Sequence, residues 1–388
     1  MKVLLISPVR GLDPPCGDIT YTEELISNMG DDVEYVTYDQ AIADGSLVEL
    51  TRRTWRVAPF LLGLNKLINF LRKRQLLFWE PFRFFTIQPG VYDLIHVHVF
   101  PFRLLNKCCP ILYSAGAPLD DVYRDRRKYS KVRTRLLSEL ESFLCRLFQV
   151  NHSTFFLPQV DCMAVYTDYY CDRIKDISKL HNGRVVKLPI SLGSASLSRH
   201  SHIGVRFGIV AYDFEAKGGH TLLDAFRKVR VLDKSATLHI VGNVPSELHE
   251  EDGVTLYGTV DRDFIAHQFL PMVDIFVYPT PHDCFSYVML EALRAGCAVC
   301  TSDYVSMPEA VDYGNAGLIS PVGNSDVLAE NMIQMLDSAI RSKFQAAARK
   351  QFEKKFDSAV VLSNLYDLYA NLVGEYAVTK SVKEKMVK

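Results

Sequence analysis

The chain has 388 residues, 48% hydrophobic and 23% charged, with a formal net charge of −1. That length suits two ordinary domains, and the mixture is that of a soluble globular protein. Near-neutrality removes any global electrostatic case for nucleic acid, no run approaches the ~20 apolar residues of a bilayer span, and the apolar start 1–8 is too short for a signal peptide. Nine cysteines, an odd number scattered through apolar contexts, favour core packing in a reducing compartment over a disulfide framework. The cytoplasm is therefore the expected location.

Residues 3–6 form a first apolar strand. A loop of turn formers follows, with Pro8, Gly11, Pro14, Pro15, Gly17 and Asp18. Residues 21–29 have helical spacing, and 33–37 form a second strand. A glycine-marked loop between a strand and a helix is a place for a ligand phosphate or sugar, or simply a βα turn. Residues 51–150 then turn basic, with 18 Lys+Arg against 7 Asp+Glu. The stretch from Arg52 to Arg135 mixes these charges with Trp55, Phe78, Trp79 and Phe84 at partly helical spacing. Such a surface suits peripheral contact with an anionic membrane face or a phosphate-bearing lipid, or it is a solvated helix face.

Residues 92–99 form a strand on which His96 and His98 share one face, because strand side chains alternate. No third ligand for a metal is evident, so a structural or substrate-facing histidine is expected. Residues 111–114 form another strand, followed by Ala115 and Gly116. The alternation of strands and helices continues through 164–166 and 185–188, and it predicts an α/β doubly wound parallel sheet. Residues 191–201 are Ser/Gly-rich and aperiodic, as in an interdomain linker.

The βα rhythm restarts with a strand at 207–211, a helix at 220–229 and strands at 237–241 and 254–257. Lys217, beside Gly218 and Gly219 at a helix start, is a reasonable phosphate ligand. Asp261-Arg262-Asp263 is formally D-x-D, but acidic residues opening a helix have a plainer reason in the dipole. Residues 275–278 form a strand stopped by Pro279 and Pro281. A polar loop with His282 and Asp283 leads into a helix over 286–295, which Gly296 ends before a strand at 298–301. Cys297 and Cys300 make a C-x-x-C inside buried backbone, with no second pair to complete a metal site. Helices are expected at 325–336, 340–356 and 358–376.

Several segments carry a resemblance. Leu238-His-Ile-Val-Gly242, Val254-Thr-Leu-Tyr-Gly258-Thr-Val260 and the run from Tyr278-Pro-Thr through Asp283 and Glu291 to Gly296 keep a definite order and spacing, followed by Met307-Pro-Glu309 and Gly317-Leu-Ile. They resemble the GT-B fold of nucleotide-sugar glycosyltransferases, and within it family four, the retaining glycosyl transferases group 1. The likeness spans roughly Gly208 to Leu328 and is looser in the first half. This chain has Asp283 where that family's signature begins with Glu, Ala211-Tyr212 where Gly-Arg is usual, and Ala115-Gly116 where a first-domain histidine is usual.

The resemblance implies two Rossmann-like domains facing a cleft, with the C-terminal helix returning to the first. The expected division is 1–190 for acceptor binding, a linker at 191–206, 207–355 for the nucleotide sugar, and 356–388 as crossover helix and tail. It also implies a UDP- or GDP-sugar donor, a glycan or lipid-linked acceptor, no cofactor and no metal. Asp283, Glu291 and Lys217 are the implied catalytic residues. Gly17, Gly242, Asn243, Gly258, Val260, Cys284, Phe285, Ser286, Tyr287 and Val288 would hold the donor, with His98 and Gly116 on the acceptor side. The departures also motivate a second expectation, a GT-B homologue acting as a nucleotide-binding scaffold or partner subunit.

Overall fold

The protein is described here as a computed structural model over residues 1–7, 17–50, 63, 66, 67, 70, 84–99, 103–116, 159–177, 184–195, 199, 200, 202–245 and 251–387. The basic clusters around 52–83 and 124–135, expected to meet an anionic surface, lie outside the described residues apart from scattered positions. Among the described residues no helix is long and apolar enough to cross a membrane. The chain divides into two compact units, Met1–Leu188 with Leu362–Lys388, and Pro189–Val361.

The first unit is built on β1 (Lys2–Ile6), β2 (Glu34–Thr37), β5 (Leu94–His98), β7 (Ile111–Ala115), β8 (Cys162–Val165) and β9 (Arg184–Lys187). They form one parallel sheet in the order β2-β1-β5-β7-β8-β9. Every residue of β5, β7 and β8 is buried, as expected where helices cover both faces of a parallel sheet. Helix α1 (Gly17–Asn28) follows β1 and buries Ile19, Tyr21 and Leu25. Helix α2 (Tyr38–Ala43) starts from a capping box between Thr37 and Gln40, and α3 (Asp168–Ile177) follows β8. A small sheet of β3 (Leu47–Glu49), β4 (Phe84–Ile87) and β6 (Arg103–Leu104) completes the described part.

The second unit holds β10 (Arg206–Val210), β11 (Thr237–Val241), β12 (Val254–Gly258), β13 (Ile275–Tyr278), β14 (Ala298–Ser302) and β15 (Leu318–Ser320). All pair in parallel, in the order β12-β11-β10-β13-β14-β15. Helix α4 (Gly219–Leu232), expected at 220–229, buries Leu222, Leu223, Phe226 and Val229 along one face. Each such fully buried side chain contributes about 1.5–3 kcal/mol. Helix α5 (Tyr287–Arg294) joins β13 to β14, and Gly296 ends it at φ +67°. Helices α6 (Ser325–Gln334) and α7 (Ser338–Lys355) are capped by the Asn324 and Asp337 side chains.

The segment expected as a linker is stitched into the second unit. Leu192 donates to the Phe356 carbonyl at 3.0 Å and accepts from Ser358 at 3.1 Å. The Arg199 guanidinium reaches the Gly296 and Val273 carbonyls and the Asp274 carboxylate at 3.1, 2.7 and 3.0 Å. A planar fork of five donors can collect strand-end acceptors in this way, whatever the Ser/Gly content beside it. Cys297 and Cys300 lie in the core, where burial pushes the Cys297 thiol up to about 11 and that of Cys300 higher still.

The last helix, Ser358–Val387, carries the chain back into the first unit at Leu362. There Tyr369 meets a buried polar row beneath the carboxyl ends of β5 and β7. The Tyr35 and Tyr369 hydroxyls are 3.0 Å apart, and Tyr369 is 2.6 Å from His96 Nδ1. Ser114 Oγ lies 2.8 Å from both His96 Nε2 and His98 Nδ1. His98 Nε2 is 3.3 Å from the Asp18 carboxylate in the first turn of α1, and its ring stacks on Tyr21 at 4.0 Å. Val99, next in the chain, sits at φ +47°, an outlier for a β-branched residue, with its N–H on the Ser114 carbonyl at 3.0 Å.

Candidate active site

In the second sheet the chain runs outward from β10 to β12 and then returns to the other side of β10 with β13. The carboxyl ends of β10 and β13 are therefore the switch point at which open α/β sheets take ligands. One loop leaves each end. The loop after β10, residues 211–218, is wound by Lys217 N–H on the Asp213 carbonyl at 3.0 Å and Gly219 N–H on Phe214 at 2.8 Å. Gly218 enters α4 at φ +76°, and a Cβ there would stand 2.3 Å from the Pro279 carbonyl oxygen. Only glycine lets the two loops approach this closely.

The loop after β13 is tied from several sides. Thr280 Oγ1 donates to the Ala216 carbonyl at 3.0 Å, and Ser302 Oγ donates to the Thr280 carbonyl at 2.6 Å. Ser306 Oγ donates to the Cys284 carbonyl. The loop delivers Asp283 against Lys217, with Nζ 2.6 Å from Oδ2 and the side chains 25% and 14% exposed. The Tyr278 hydroxyl donates to the same Oδ2 at 2.7 Å, and Lys217 Nζ sits 5.5 Å from the Tyr278 ring centre. Burial works against the Lys217 charge, but Tyr278 and Asp283 outweigh it and hold the ammonium above the usual lysine range. Burial and the Asp283 charge push the Tyr278 phenol up, so it stays a donor.

Helix α5 starts at Tyr287 from an extended Ser286 that caps it with no side-chain hydrogen bond. Its first-turn amides and positive dipole end thus receive no hydrogen bond from the Ser286 side chain. Glu291, one turn on, is buried, and it accepts from Arg262 Nε at 2.9 Å. The Arg262 guanidinium also lies 5.8 Å from the Tyr287 ring centre. Two further loops border this end of the sheet. Gly242, at φ +124°, places its Cα where a Cβ would meet the Ala211 carbonyl at 2.0 Å, and its N–H donates to the Gly258 carbonyl at 2.8 Å. Asn243 Oδ1 accepts from Thr259 at 2.7 Å, and the Val260 carbonyl accepts from the Tyr212 hydroxyl at 2.9 Å.

Lys217, Asp283, Cys284, Phe285, Ser286, Tyr287, Val288 and Glu291 thus stand on the elements at the switch point, with Gly242, Asn243, Gly258 and Val260 at the carboxyl ends of β11 and β12. Phe285 packs its ring 5.6 Å from that of Phe356. Gly17, His98 and Gly116 belong to the first unit. His98 is wholly buried, and the partner it meets, Asp18, is 40% exposed. Asp261 caps the short helix after β12 by accepting from Phe264 N–H at 2.7 Å, and Asp263 pairs with His267 at 2.9 Å. Among the described residues no group of three or more His, Cys, Asp or Glu side chains is arranged to hold a metal ion. Tyr278, Tyr212 and Arg262 escape a reading of the sequence as partners of the site. Their signal is positional, since each sits at a strand end or opens the turn beyond one.

Comparison with known proteins bears on this same half of the chain. Residues 205–338 match the family model of the glycosyl transferases group 1. The capsular polysaccharide biosynthesis glycosyltransferase CapM of Staphylococcus aureus is 25% identical over 176 residues, 43% of this chain and 46% of that protein. The phosphatidyl-myo-inositol mannosyltransferase of Mycolicibacterium smegmatis is 30% identical over 173 residues, 42% of this chain and 44% of that protein. The chain thus spans less than half the length of these curated relatives. The solved structure of sucrose-phosphate synthase from Thermosynechococcus elongatus superposes with a TM-score of 0.62 at 17% identity, covering 96% of this chain and 99% of that one. The fold is GT-B, and the part of its second unit at 205–338 is similar to the group 1 glycosyl transferases.

Proposed function

We propose that this chain, whose residues 205–338 match the group 1 glycosyl transferases, moves a sugar from a nucleoside-diphosphate donor to a glycan or lipid-linked acceptor, with retention and without a metal ion. The observation that carries this reading is the meeting of a cation, two carboxylates and a helix start that its N-cap side chain does not bond, at one switch point. As the bond from the anomeric carbon to the diphosphate oxygen breaks, the electron pair stays with the leaving phosphate. Lys217 and the first-turn amides of α5 are preorganised donors for that charge, the role a divalent cation would otherwise fill. Glu291 accepts from the ribose hydroxyls and Asp283 from those of the transferred sugar. The turn at Gly258 to Val260 flanks the base.

The acceptor oxygen attacks the same face that the phosphate leaves. Its proton passes to the departing phosphate oxygen, so atoms and charge balance with no protein nucleophile. The basic stretch 51–150 supports an anionic or lipid-linked acceptor at a cytoplasmic membrane face, which co-sedimentation with anionic liposomes at low and high salt tests. The donor reading is tested by calorimetry and turnover with UDP-, GDP- and ADP-sugars. At least one should bind and be turned over with retention. Lys217→Ala should weaken nucleoside-diphosphate affinity by about 1.5–3 kcal/mol. Failure of all three donors to bind would remove the reading.

A further inference from the structure

We propose that Tyr278 is a positioning residue of the donor site, which holds Asp283 in place while Lys217 exchanges that carboxylate for the donor's diphosphate. The inference rests on reading this switch point as the donor site. The cation proposed to meet phosphate already has an internal partner, because Lys217 Nζ lies 2.6 Å from Asp283 Oδ2. The internal carboxylate stands where a phosphate oxygen would. A diphosphate that recruits Lys217 must take it from Asp283, whose side chain is only 14% exposed. Left alone, a largely buried carboxylate beside a second anion would be costly.

Tyr278 removes that cost. Its hydroxyl donates to the same Oδ2 at 2.7 Å, so one hydrogen bond survives the exchange. The donor is also rigid. Tyr278 ends β13, its ring is 1% exposed and stacks with Phe276 at 5.8 Å, and its carbonyl accepts from Thr301 at 2.9 Å. Burial keeps the phenol protonated, and the Asp283 charge adds to this. The reciprocal consequence is specificity. Lys217 is released to a ligand that attracts it more strongly than one carboxylate, as a doubly charged diphosphate does and a neutral sugar does not.

The test is a double-mutant cycle read by calorimetry with UDP and GDP on wild type, Tyr278→Phe, Asp283→Ala and the double variant. Tyr278→Phe keeps the ring stacked and leaves Asp283 paired with Lys217, so it folds, and thermal unfolding checks this. The expected result is a roughly tenfold loss of affinity from Tyr278→Phe when Asp283 is present and less than a twofold change when it is absent. Equal losses in both backgrounds, or no loss in either, would mean that the hydroxyl serves packing alone and overturn the inference while leaving the donor reading intact. A wild type that binds neither nucleotide would overturn both.

Discussion

Arg262 Nε donates to Glu291 Oε1 at 2.9 Å, so the carboxylate proposed to meet the ribose is held by a cation from the turn after β12. Glu291 lies inside α5 with its side chain 5% exposed, whereas Arg262 is 38% exposed. The pair has one buried member and one wet one. Arg262 therefore fixes the orientation of Glu291 by the bond from Nε to Oε1.

Glu291→Ala should abolish turnover and weaken nucleoside-diphosphate binding by about 1.5–3 kcal/mol, the range of a hydrogen bond to a charged acceptor. Arg262→Ala should cost less than half as much, since ribose hydroxyls still find the carboxylate. Calorimetry on both variants checks the ranking, and a larger loss from Arg262→Ala would show that the guanidinium contacts the ligand itself.

Gly218→Ala should destabilise the second unit by about 1–3 kcal/mol, because the residue is at φ +76° and its Cβ would press on the Pro279 carbonyl. Urea unfolding measures the loss. Donor affinity should fall with it, since the pressure separates the loops that carry Lys217 and Asp283.

Acid should weaken the first unit through His96. Burial, and then His98 beside it, pulls this imidazole from 6.5 down to about 3. The unfolded chain takes up a proton near 6.5 that the folded chain refuses until about 3, so the contribution is complete above 6.5 and is lost as pH falls through that window. One such group changes stability by up to about 1.4 kcal/mol per pH unit. Urea unfolding at pH 7, 6 and 5 should show the decline. His96→Asn should be less stable at pH 7 and have a flatter slope. His239 in the second unit, pulled down to about 4 by burial and then by Arg206 and His202, keeps its own share in that variant.

EDTA should leave turnover unchanged. Asp261 is committed to a helix cap and Asp263 to His267, while Lys217 supplies positive charge at the switch point. Activity that requires Mg²⁺ or Mn²⁺ would contradict this, and Asp261→Asn would then locate the ion.

The strand, loop and helix around Asp283 could be read closely from residues alone. Strand β13 has the expected bounds, and α5 differs by one residue at each end, because Pro279, Pro281 and Gly296 are local stops with local causes. The return of the last helix also follows the expectation. What local pattern could not announce is contact across the chain. His96 and Tyr369 are 273 residues apart, and Arg262 and Glu291 are 29 apart. Serine and glycine at 191–201 suggested an interdomain linker, and the guanidiniums of Arg199, Arg294 and Arg349 bind this segment within the second unit. Composition describes what a segment prefers when alone, and these contacts depend on where the fold brings its partners.

The row of side chains from Tyr35 to Asp18 has a direction. An ionised carboxylate only accepts, so with both imidazoles neutral Asp18 takes the proton of His98 Nε2, and His98 Nδ1 then receives from Ser114. Ser114 has one proton to give, so its oxygen receives from His96 Nε2, and His96 Nδ1 receives from Tyr369. Every arrow points from the last helix to the first. Were Asp18 to gain a proton, all of them could reverse with no heavy atom moving. The first unit thus stores the charge state of one half-exposed carboxylate as the tautomers of two hidden rings, and a nitrogen NMR spectrum of those histidines would read it out.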